Sequence, residues 1–505
     1  MLRTCLLRAC TRRFAADVSQ HAGRSRHVGV LYWFDIMTYN DSPMKRKVTN
    51  GQNRIRSIEK DARRYIWHPF TQMAEWEKDL PRIIDHGKGV YLYDIDGKRY
   101  LDGVSSIWVN LHGHRKAALD RAIINQLNKI AHSTLLGLTN VPAIRLAKKL
   151  VALAPKGLAK VFFSDNGSTA MEVALKIAFQ YWRHRGKPRK TKFASLVNAY
   201  HGDTIGSVSI GGIELFHGRY SPLLFPTYKV GAPHCYRCFL NKTYPDCRLA
   251  CADEVETVLS RHHDEIAAVV VEPMIQGAAG MLTWPPGYLK QIRDLCTRYH
   301  VLLIADEVFT GFGRTGTMFA SEHERVTPDL MAVAKGLTGG YMPLAATLAT
   351  QEIYDAFLGG YREFKTFFHG HSYTGNQLGC AAALANLEIF EKERVLEKLK
   401  PKIEALRKLL APLEGHPHVG EVRQIGLIAA VELVKDRSTK KPFPLEERWG
   451  HRVAKEALTR GMIIRPLGNV VPLIPPLSVT LPQLKKMVSI LDQSIRTVTK
   501  ADRTK

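Results

Sequence analysis

From about residue 116 onward, short apolar runs alternate with stretches of helical periodicity, and this alternation constrains the fold more than any other feature of the chain. Apolar residues recur at i, i+3 and i+4 in the helical stretches, as between residues 168 and 183. Strands are expected at 161–163, 193–198, 267–271, 301–305, 330–334 and 344–349, and helices at 116–132, 141–153 and 168–183. This order predicts an α/β domain with a mainly parallel central sheet.

The two ends of the chain have a different pattern. They mix short strands, such as 90–93 and 426–432, with exposed helices, such as 446–460 and 481–498. We therefore expect a large domain over 116–384 and one smaller α+β domain built from 61–115 and 385–505. A chain of 505 residues is long enough for two or three domains.

The N-terminal segment 1–60 is predicted to lie outside the fold, either as a leader or as an over-extended start at Met1 instead of Met37 or Met44. Its first 16 residues contain four Arg and no acidic residue, which is typical of a mitochondrial presequence. We expect a cytoplasmic protein, with the mitochondrion as the alternative if residues 1–30 are a presequence.

The formal net charge is +25, and the first 60 residues contribute 12 Lys and Arg against 4 Asp and Glu. The remaining excess forms no basic stripe interleaved with aromatic residues, so we expect a solvated basic surface and no nucleic-acid partner. No run of roughly 18 apolar residues occurs, so no membrane partner is expected either.

Lys335 and Asp306 each follow an apolar run that reads as a buried strand. A lysine at the end of a buried strand is costly unless it is used chemically. Together the two residues suggest a lysine bound covalently to pyridoxal phosphate (PLP), with the carboxylate holding the ring nitrogen protonated. Alternatively, both are solvated loop residues.

Other strand ends carry suitable groups. Gly167 and Ser168 open a helix, whose free N–H groups and partial positive charge favour a phosphate, although an ordinary helix cap would have the same residues. Tyr200 follows another strand and is able to stack on a flat ring or to pack in the core. Glu272 ends a further strand, and Val308 could pack beneath a ring whose nitrogen meets Asp306.

Together these segments resemble the class III aminotransferases, which are fold-type I PLP enzymes, over about residues 63–498. The motifs that carry the resemblance are Asp306-Glu307-Val308, the Gly-Phe-Gly-Arg-Thr-Gly run at 311–316 and Ala334-Lys335-Gly336. A second set resembles the biotin-pathway branch of that family, which aminates 8-amino-7-oxononanoate to 7,8-diaminononanoate: residues 65–73, 102–108, 368–372 and 464–466.

The resemblance implies a PLP site. Lys335 would bind the cofactor and transfer protons, Asp306 would pair with the ring nitrogen, and Tyr200 would stack on the ring. Gly167 and Ser168 would bind the phosphate.

The resemblance also implies a homodimer with shared active sites. His371 and Ser372 would contact the phosphate bound by the neighbouring subunit.

The substrate residues follow from the same resemblance. Arg465 would bind the distal carboxylate of the keto acceptor, as a bidentate guanidinium can. Gly370, Ile107 and Trp108 would line an apolar channel.

Two positions depart from the better-known form of that branch, which has Tyr where this chain has Phe70 and Trp where it has Ile107. Both positions are associated with the amino donor, so the donor is either S-adenosylmethionine or lysine.

Another class III aminotransferase, acting on an ω-amino acid or a diamine, is the alternative enzyme. A catalytically silent binding protein is the alternative of a different class.

Four cysteines, Cys235, Cys238, Cys247 and Cys251, have the spacing C-x2-C-x8-C-x3-C and form what we call the cysteine cluster. Two close thiol pairs joined by a short loop suit a tetrathiolate metal site. We expect structural zinc ahead of an iron–sulfur cluster, and four free thiols in a surface loop are the alternative.

Overall fold

The computed structural model describes residues 48–79 and 82–500. The chain divides into two compact units, residues 1–80 and 81–505. In the first unit, helix α1 runs over Val48–Tyr65 and helix α2 over Met73–Trp76. Most of the predicted leader, residues 1–47, lies outside the described residues, so the compartment stays a prediction.

Residues 48–60 differ from the expectation that no folded element precedes residue 61, because they form most of α1. The segment has few apolar residues, so hydrophobic periodicity does not mark it as a helix. Its second half, residues 55–65, is rich in Arg, Lys, Glu and Ala, which have high helix propensity even on a polar helix.

The second unit contains the remaining elements. Its strands are β1 Ile84–Lys88, β2 Tyr91–Asp94, β3 Arg99–Asp102, β4 Leu158–Ser164, β5 Lys192–Leu196, β6 Tyr228–Val230, β7 Ile266–Val271, β8 Ile275–Gln276, β9 Leu282–Thr283, β10 Leu302–Asp306, β11 Leu330–Val333, β12 Ala345–Thr350, β13 Val419–Ile425, β14 Ile428–Asp436, β15 Lys441–Pro442, β16 Met462–Ile463 and β17 Val470–Leu473. Its helices are α3 Ser105–Trp108, α4 Ala117–Leu127, α5 Val141–Leu153, α6 Gly167–His184, α7 Ile205–Ile210, α8 Glu214–His217, α9 Ala252–His262, α10 Tyr288–Arg298, α11 Gln351–Asp355, α12 Gln377–Lys392, α13 Val395–Leu410, α14 Trp449–Thr459 and α15 Leu481–Lys500. In the described part of the chain, no helix is sufficiently long and apolar to cross a membrane.

The central sheet has seven strands in the order β4-β12-β11-β10-β7-β5-β6. Neighbours from β11 to β6 pair in parallel, and β12 runs antiparallel to both β11 and β4. The predicted α/β fold with a mainly parallel central sheet is confirmed.

Burial on both faces explains why the central strands are continuous apolar runs. Every residue of β7, β10 and β11 is buried. Helix α6 places its apolar stripe against this sheet, with Ala170, Val173 and Ala174 fully buried. Because both faces of the sheet are covered, the polar side chains that a ligand can reach lie beyond the ends of the strands.

Strands from both ends of the second unit share one sheet, in the order β1-β2-β3-β16. A further sheet joins β13, β14 and β15, and β17 pairs with β14. The boundary expected between residues 384 and 385 falls inside α12, because one helix continues through it.

Candidate active site

Lys335 lies two residues after the end of β11, at the start of a 3₁₀ turn, with φ of 41°. Its Nζ atom is 4.9 Å from the centre of the Trp108 ring and 5.4 Å from that of Phe309. Burial lowers the pKa of Lys335, and the nearby carboxylates of Asp306 and Glu272 oppose this effect only in part. The neutral amine, which is the nucleophilic and basic form, is thereby favoured.

Asp306 ends β10 and is buried. Its Oδ1 atom accepts a hydrogen bond from the Val308 N–H at 3.0 Å, and its Oδ2 atom lies 2.7 Å from His201 Nδ1. An ionised carboxylate only accepts hydrogen bonds, so Nδ1 of His201 is the donor in this pair. The two donors hold a buried anion at the strand end, where it can face a cationic ring nitrogen.

Helix α6 begins at the end of β4. Asn166 caps it by accepting from the Thr169 N–H at 3.0 Å, and the N–H groups of Gly167 and Ser168 lie in the first turn. The first N–H groups of a helix have no partner within the helix, so this turn can bind an anion.

The loops around this turn are packed closely. A Cβ atom at Gly167 would lie 2.6 Å from Val308 Cγ1, and one at Gly202 would lie 1.9 Å from Ser168 Oγ. Gly202 also has φ of +118°, which other residues rarely adopt. The loops after β4, β5 and β10 therefore form one continuous surface.

Tyr200 forms one side of this surface. Its hydroxyl donates to Asp203 Oδ2 at 2.8 Å, and its N–H donates to Glu272 Oε1 at 3.0 Å. Burial, followed by the hydrogen bond to Asp203, raises the pKa of Tyr200, so its ring stays neutral. Burial also raises the pKa of Glu272 to about 7.

Residues Ser105–Trp108 form a left-handed turn, with φ values of 46°, 43°, 64° and 68°. The turn exposes Ile107 and tilts the Trp108 ring against Phe309, with ring centres 4.5 Å apart. L-residues adopt this conformation at a cost, and such strain is concentrated at functional sites.

Asp102 holds the turn in place. Its carboxylate is fully buried and accepts from the Ser106 N–H at 2.8 Å and the Ser106 hydroxyl at 2.9 Å. His114 Nε2 lies 3.0 Å from the same carboxylate. Arg314, also buried, donates to the Asn110 carbonyl at 2.8 Å.

The structure places the other candidate residues in two loops. Arg465 is exposed and follows β16, whose partner β3 leads into the left-handed turn. Gly370, His371 and Ser372 lie in the loop between α11 and α12, and His371 Nε2 is 3.0 Å from Asp165 Oδ1 of the same chain. Phe70 is exposed and belongs to the first unit.

The cysteine cluster lies apart from these strand ends, between β6 and α9. All four residues are free thiols, and they line one small cavity. The structure therefore places all four cysteines on the lining of one cavity, and metal binding there stays a prediction.

Two contacts in this region, that of His201 with Asp306 and that of Asp102 with the left-handed turn, could not be predicted from the sequence. His201 stands next to Tyr200, but no spacing links it to Asp306, which lies 105 residues later. Asp102 belongs to a recognised motif, but its role depends on the left-handed turn. The one signal for His201 is its position next to Tyr200 in the sequence.

The residues at the strand ends fit PLP. Lys335, whose pKa is lowered, suits the aldehyde of that molecule, and the buried carboxylate of Asp306 suits its ring nitrogen. The ring of Tyr200 suits the ring face, and the N-terminus of α6 suits the phosphate. His201 Nε2 is buried without a hydrogen-bond partner among the described residues, so it leaves a polar atom next to the same anion.

Comparison with known proteins identifies the family. The model for class III aminotransferases matches residues 72–495. The adenosylmethionine-8-amino-7-oxononanoate aminotransferase of Geobacter sulfurreducens is 57% identical over 438 residues, covering 86% of this chain and 97% of that protein.

Two solved structures show the same fold. The crystal structure of the adenosylmethionine-8-amino-7-oxononanoate aminotransferase of Methanocaldococcus jannaschii has a TM-score of 0.84 at 48% identity, covering 88% of this chain and 99% of that one. The ω-transaminase of Pseudomonas jessenii in complex with PMP has a TM-score of 0.84 at 34% identity, covering 88% and 98%. With the strand-end lysine, carboxylate and phosphate turn in place, the chain belongs to the class III aminotransferases, the PLP-dependent transaminases of fold type I.

Proposed function

We propose that this enzyme transfers an amino group to 8-amino-7-oxononanoate and forms 7,8-diaminononanoate, the step that serves biotin biosynthesis. The observation that carries the proposal is the 57% identity, over nearly the whole length of the relative, to an aminotransferase named for this acceptor. S-adenosylmethionine is the first donor to consider, because the name of that relative includes it. Phe70 keeps lysine as the second donor, since it lacks the hydroxyl of the usual tyrosine.

The alternative function, an ω-transaminase activity on other amines, is supported only by the similarity of the fold. The Pseudomonas jessenii structure matches as well by TM-score as the Methanocaldococcus jannaschii structure, but its sequence identity is 34% instead of 48%. Because class III enzymes with different substrates share one fold, the substrate has to be argued from side chains.

Bound PLP supplies an electron sink for the bond-breaking step. Asp306 would keep a negative charge at the ring nitrogen, and Tyr200 would cover one ring face. Lys335 would accept and return the proton, since its amine is buried beside these residues and its pKa is lowered. The N-terminus of α6 would bind the phosphate and so fix the orientation of the cofactor.

The apolar pair Trp108 and Phe309 forms the wall beside Lys335. An acceptor with an alkyl chain can lie along such a wall and exclude water from the amine. Arg465 follows β16, the strand that pairs with β3 just before the left-handed turn, and it is the residue we propose for the carboxylate at the far end of the acceptor.

The direct test supplies purified enzyme with 8-amino-7-oxononanoate and, in separate reactions, S-adenosylmethionine or lysine. We expect the diamine product, quantified after derivatisation and mass spectrometry, with at least one donor. Amination of ω-amino ketones without amination of this acceptor would instead support the alternative transaminase.

Replacement of Arg465 by Ala should raise the KM for the acceptor and leave the KM for the donor nearly unchanged. Loss of one charge-assisted pair costs on the order of 2–5 kcal/mol, and each 1.4 kcal/mol corresponds to about tenfold. Arg460→Ala, an exposed arginine paired with Glu456, is the matched control. An unchanged KM for the acceptor would remove Arg465 from the proposed site.

We further propose a homodimer in which His371 and Ser372 act at the partner's site. The same loop exposes 74% of Phe368 and 62% of Tyr373, which are large apolar surfaces suited to an interface. Mixing inactive Lys335→Ala subunits with inactive His371→Ala/Ser372→Ala subunits should restore up to roughly a quarter of the activity, because hybrid dimers contain one intact shared site. No recovery after subunit exchange would mean that each site belongs to one chain.

A further inference from the structure

We propose that Cys235, Cys238, Cys247 and Cys251 bind one zinc ion as a tetrathiolate, and that this site stabilises the contact between their loop and the C-terminal strands β13 and β14. The transamination chemistry requires no metal, so the site would be structural. Its existence does not depend on the identity of the substrate.

The first support is the shape of the loop. The four cysteines line one small cavity of about 20 Å³, together with Pro233, His234, Phe239 and other neighbours. A space of this size holds a single small particle, about as large as one water molecule. The surrounding side chains are mostly apolar, and Cys235 is the exposed member of the four.

The second support is the set of donors. The four residues are free thiols that belong to two close pairs, Cys235 with Cys238 and Cys247 with Cys251, and all four line the same cavity. Four thiolates are favourable ligands when a divalent cation compensates their charge.

The third support is the position of the loop. Tyr236 and Arg237 lie between the first two cysteines, and both contact the C-terminal strands. Arg237 Nε donates to Glu432 Oε1 of β14 at 2.8 Å, and the Tyr236 hydroxyl lies against Gly420 of β13. An ion bound by the flanking cysteines would hold both contact residues in place at once.

A neighbouring group of possible ligands is better explained without a metal. His234, Glu421 and Glu432 place their ligand atoms within 4.8 Å of one another. Arg423 Nη1 already bridges the two carboxylates, at 2.5 Å from Glu421 and 2.6 Å from Glu432. The guanidinium supplies the positive charge that a metal would otherwise provide.

Within the described residues, no three sulfur atoms of the cluster lie as close together as that group. Zinc binding would therefore require the side chains to rotate inward across the cavity until each Zn–S distance is about 2.3 Å. Each thiol loses its proton on binding, so up to four protons are released per ion and the affinity increases with pH.

The test is metal analysis of the full-length enzyme, expressed in zinc-containing medium and purified under reducing conditions without chelator. We expect about one zinc per subunit, and X-ray absorption at the zinc edge should show sulfur ligands at about 2.3 Å. Cys235→Ser/Cys238→Ser should lose the zinc, whereas the control Cys380→Ala, a buried thiol of α12, should retain it.

If the double variant fails to fold, wild-type protein stripped with a thiol-reactive mercurial, then reduced and given zinc sulfate, provides the same readout. We expect zinc to return to about one per subunit and the melting temperature to rise with it. Zinc near zero after reconstitution, bound iron with labile sulfide, zinc with nitrogen or oxygen ligands, or unchanged zinc content in the double variant would each overturn the proposal.

Discussion

At the scale of single residues, the buried pair of His201 and Asp306 does most to define the cofactor site. The histidine is the side-chain donor to a carboxylate that has one further donor, the Val308 N–H. Hydrogen bonds to charged groups contribute about 1.5–3 kcal/mol, more than those between neutral groups. His201 is therefore a positioning residue that acts through Asp306.

We predict that His201→Leu weakens PLP binding roughly tenfold or more, because the buried carboxylate loses a donor. His201→Gln, whose amide can still donate, should recover part of that affinity. Equilibrium titration of the apoenzyme, followed by tryptophan fluorescence, measures both variants. His184→Gln, at the far end of α6, is the control. Equal affinities for the Leu variant and wild type would contradict the role of His201.

Glu272 should make the apoenzyme less stable as pH rises. Burial raises its pKa from 4.5 to about 7, so between these values the folded state holds a proton that the unfolded chain releases. Stability falls with pH wherever the folded state binds more protons. Glu272→Gln removes this term, so its unfolding free energy relative to wild type should increase by about 3 kcal/mol between pH 4.5 and 7. Denaturant titrations at several pH values test the slope, and a flat difference would refute it.

At the scale of elements, the left-handed turn Ser105–Trp108 is the feature that shapes the wall beside Lys335. Four successive non-glycine residues with positive φ are held by Asp102, whose buried carboxylate accepts from Ser106. The strain is stored next to Trp108, which packs against Phe309 beside Lys335, and the surrounding hydrogen bonds maintain it.

At Ile107, glycine should be more stable than alanine, the reverse of the order at ordinary positions. Both variants remove the same exposed side chain, but only glycine adopts φ of 64° without steric cost. We expect the free energy of unfolding of Ile107→Gly to be about 1 kcal/mol higher than that of Ile107→Ala. Chemical denaturation of both variants without substrate is the measurement. If alanine is as stable as glycine, the turn is not strained.

At the scale of the whole molecule, a buried ion-pair network joins the loop after β6 to the C-terminal sheet. Arg237 and Arg423 both pair with Glu432, and the Arg423 and Glu432 side chains are only 2% and 9% exposed. Removal of one partner from a buried network leaves the other charges without compensation.

Glu432→Gln should therefore lower the unfolding free energy by roughly 3 kcal/mol. The exposed pair Arg394–Glu397 offers a matched control, since Glu397→Gln removes a surface ion pair and should change stability little. Thermal unfolding of the two variants side by side makes the comparison. Similar melting temperatures for both would show that the buried network contributes no more than a surface pair.

The sequence by itself determined the α/β order, the strand-end positions of Lys335, Asp306 and Tyr200, and the helix that begins at Gly167. These properties follow from local periodicity and from the rule that parallel strands end at one edge of a sheet. Even the polar helix α1, most of which lies in the segment expected to be unfolded, is built from residues with strong helix propensity.

Only the tertiary structure decided which distant groups meet. The contact of His201 with Asp306 and the pairing of Arg237 with Glu432 join residues with no local pattern in common. The left-handed turn is likewise invisible in its residue types, since Ser, Ile and Trp do not favour positive φ. Long-range hydrogen bonds and burial offset the strain of this turn, and these interactions form only when the chain is folded.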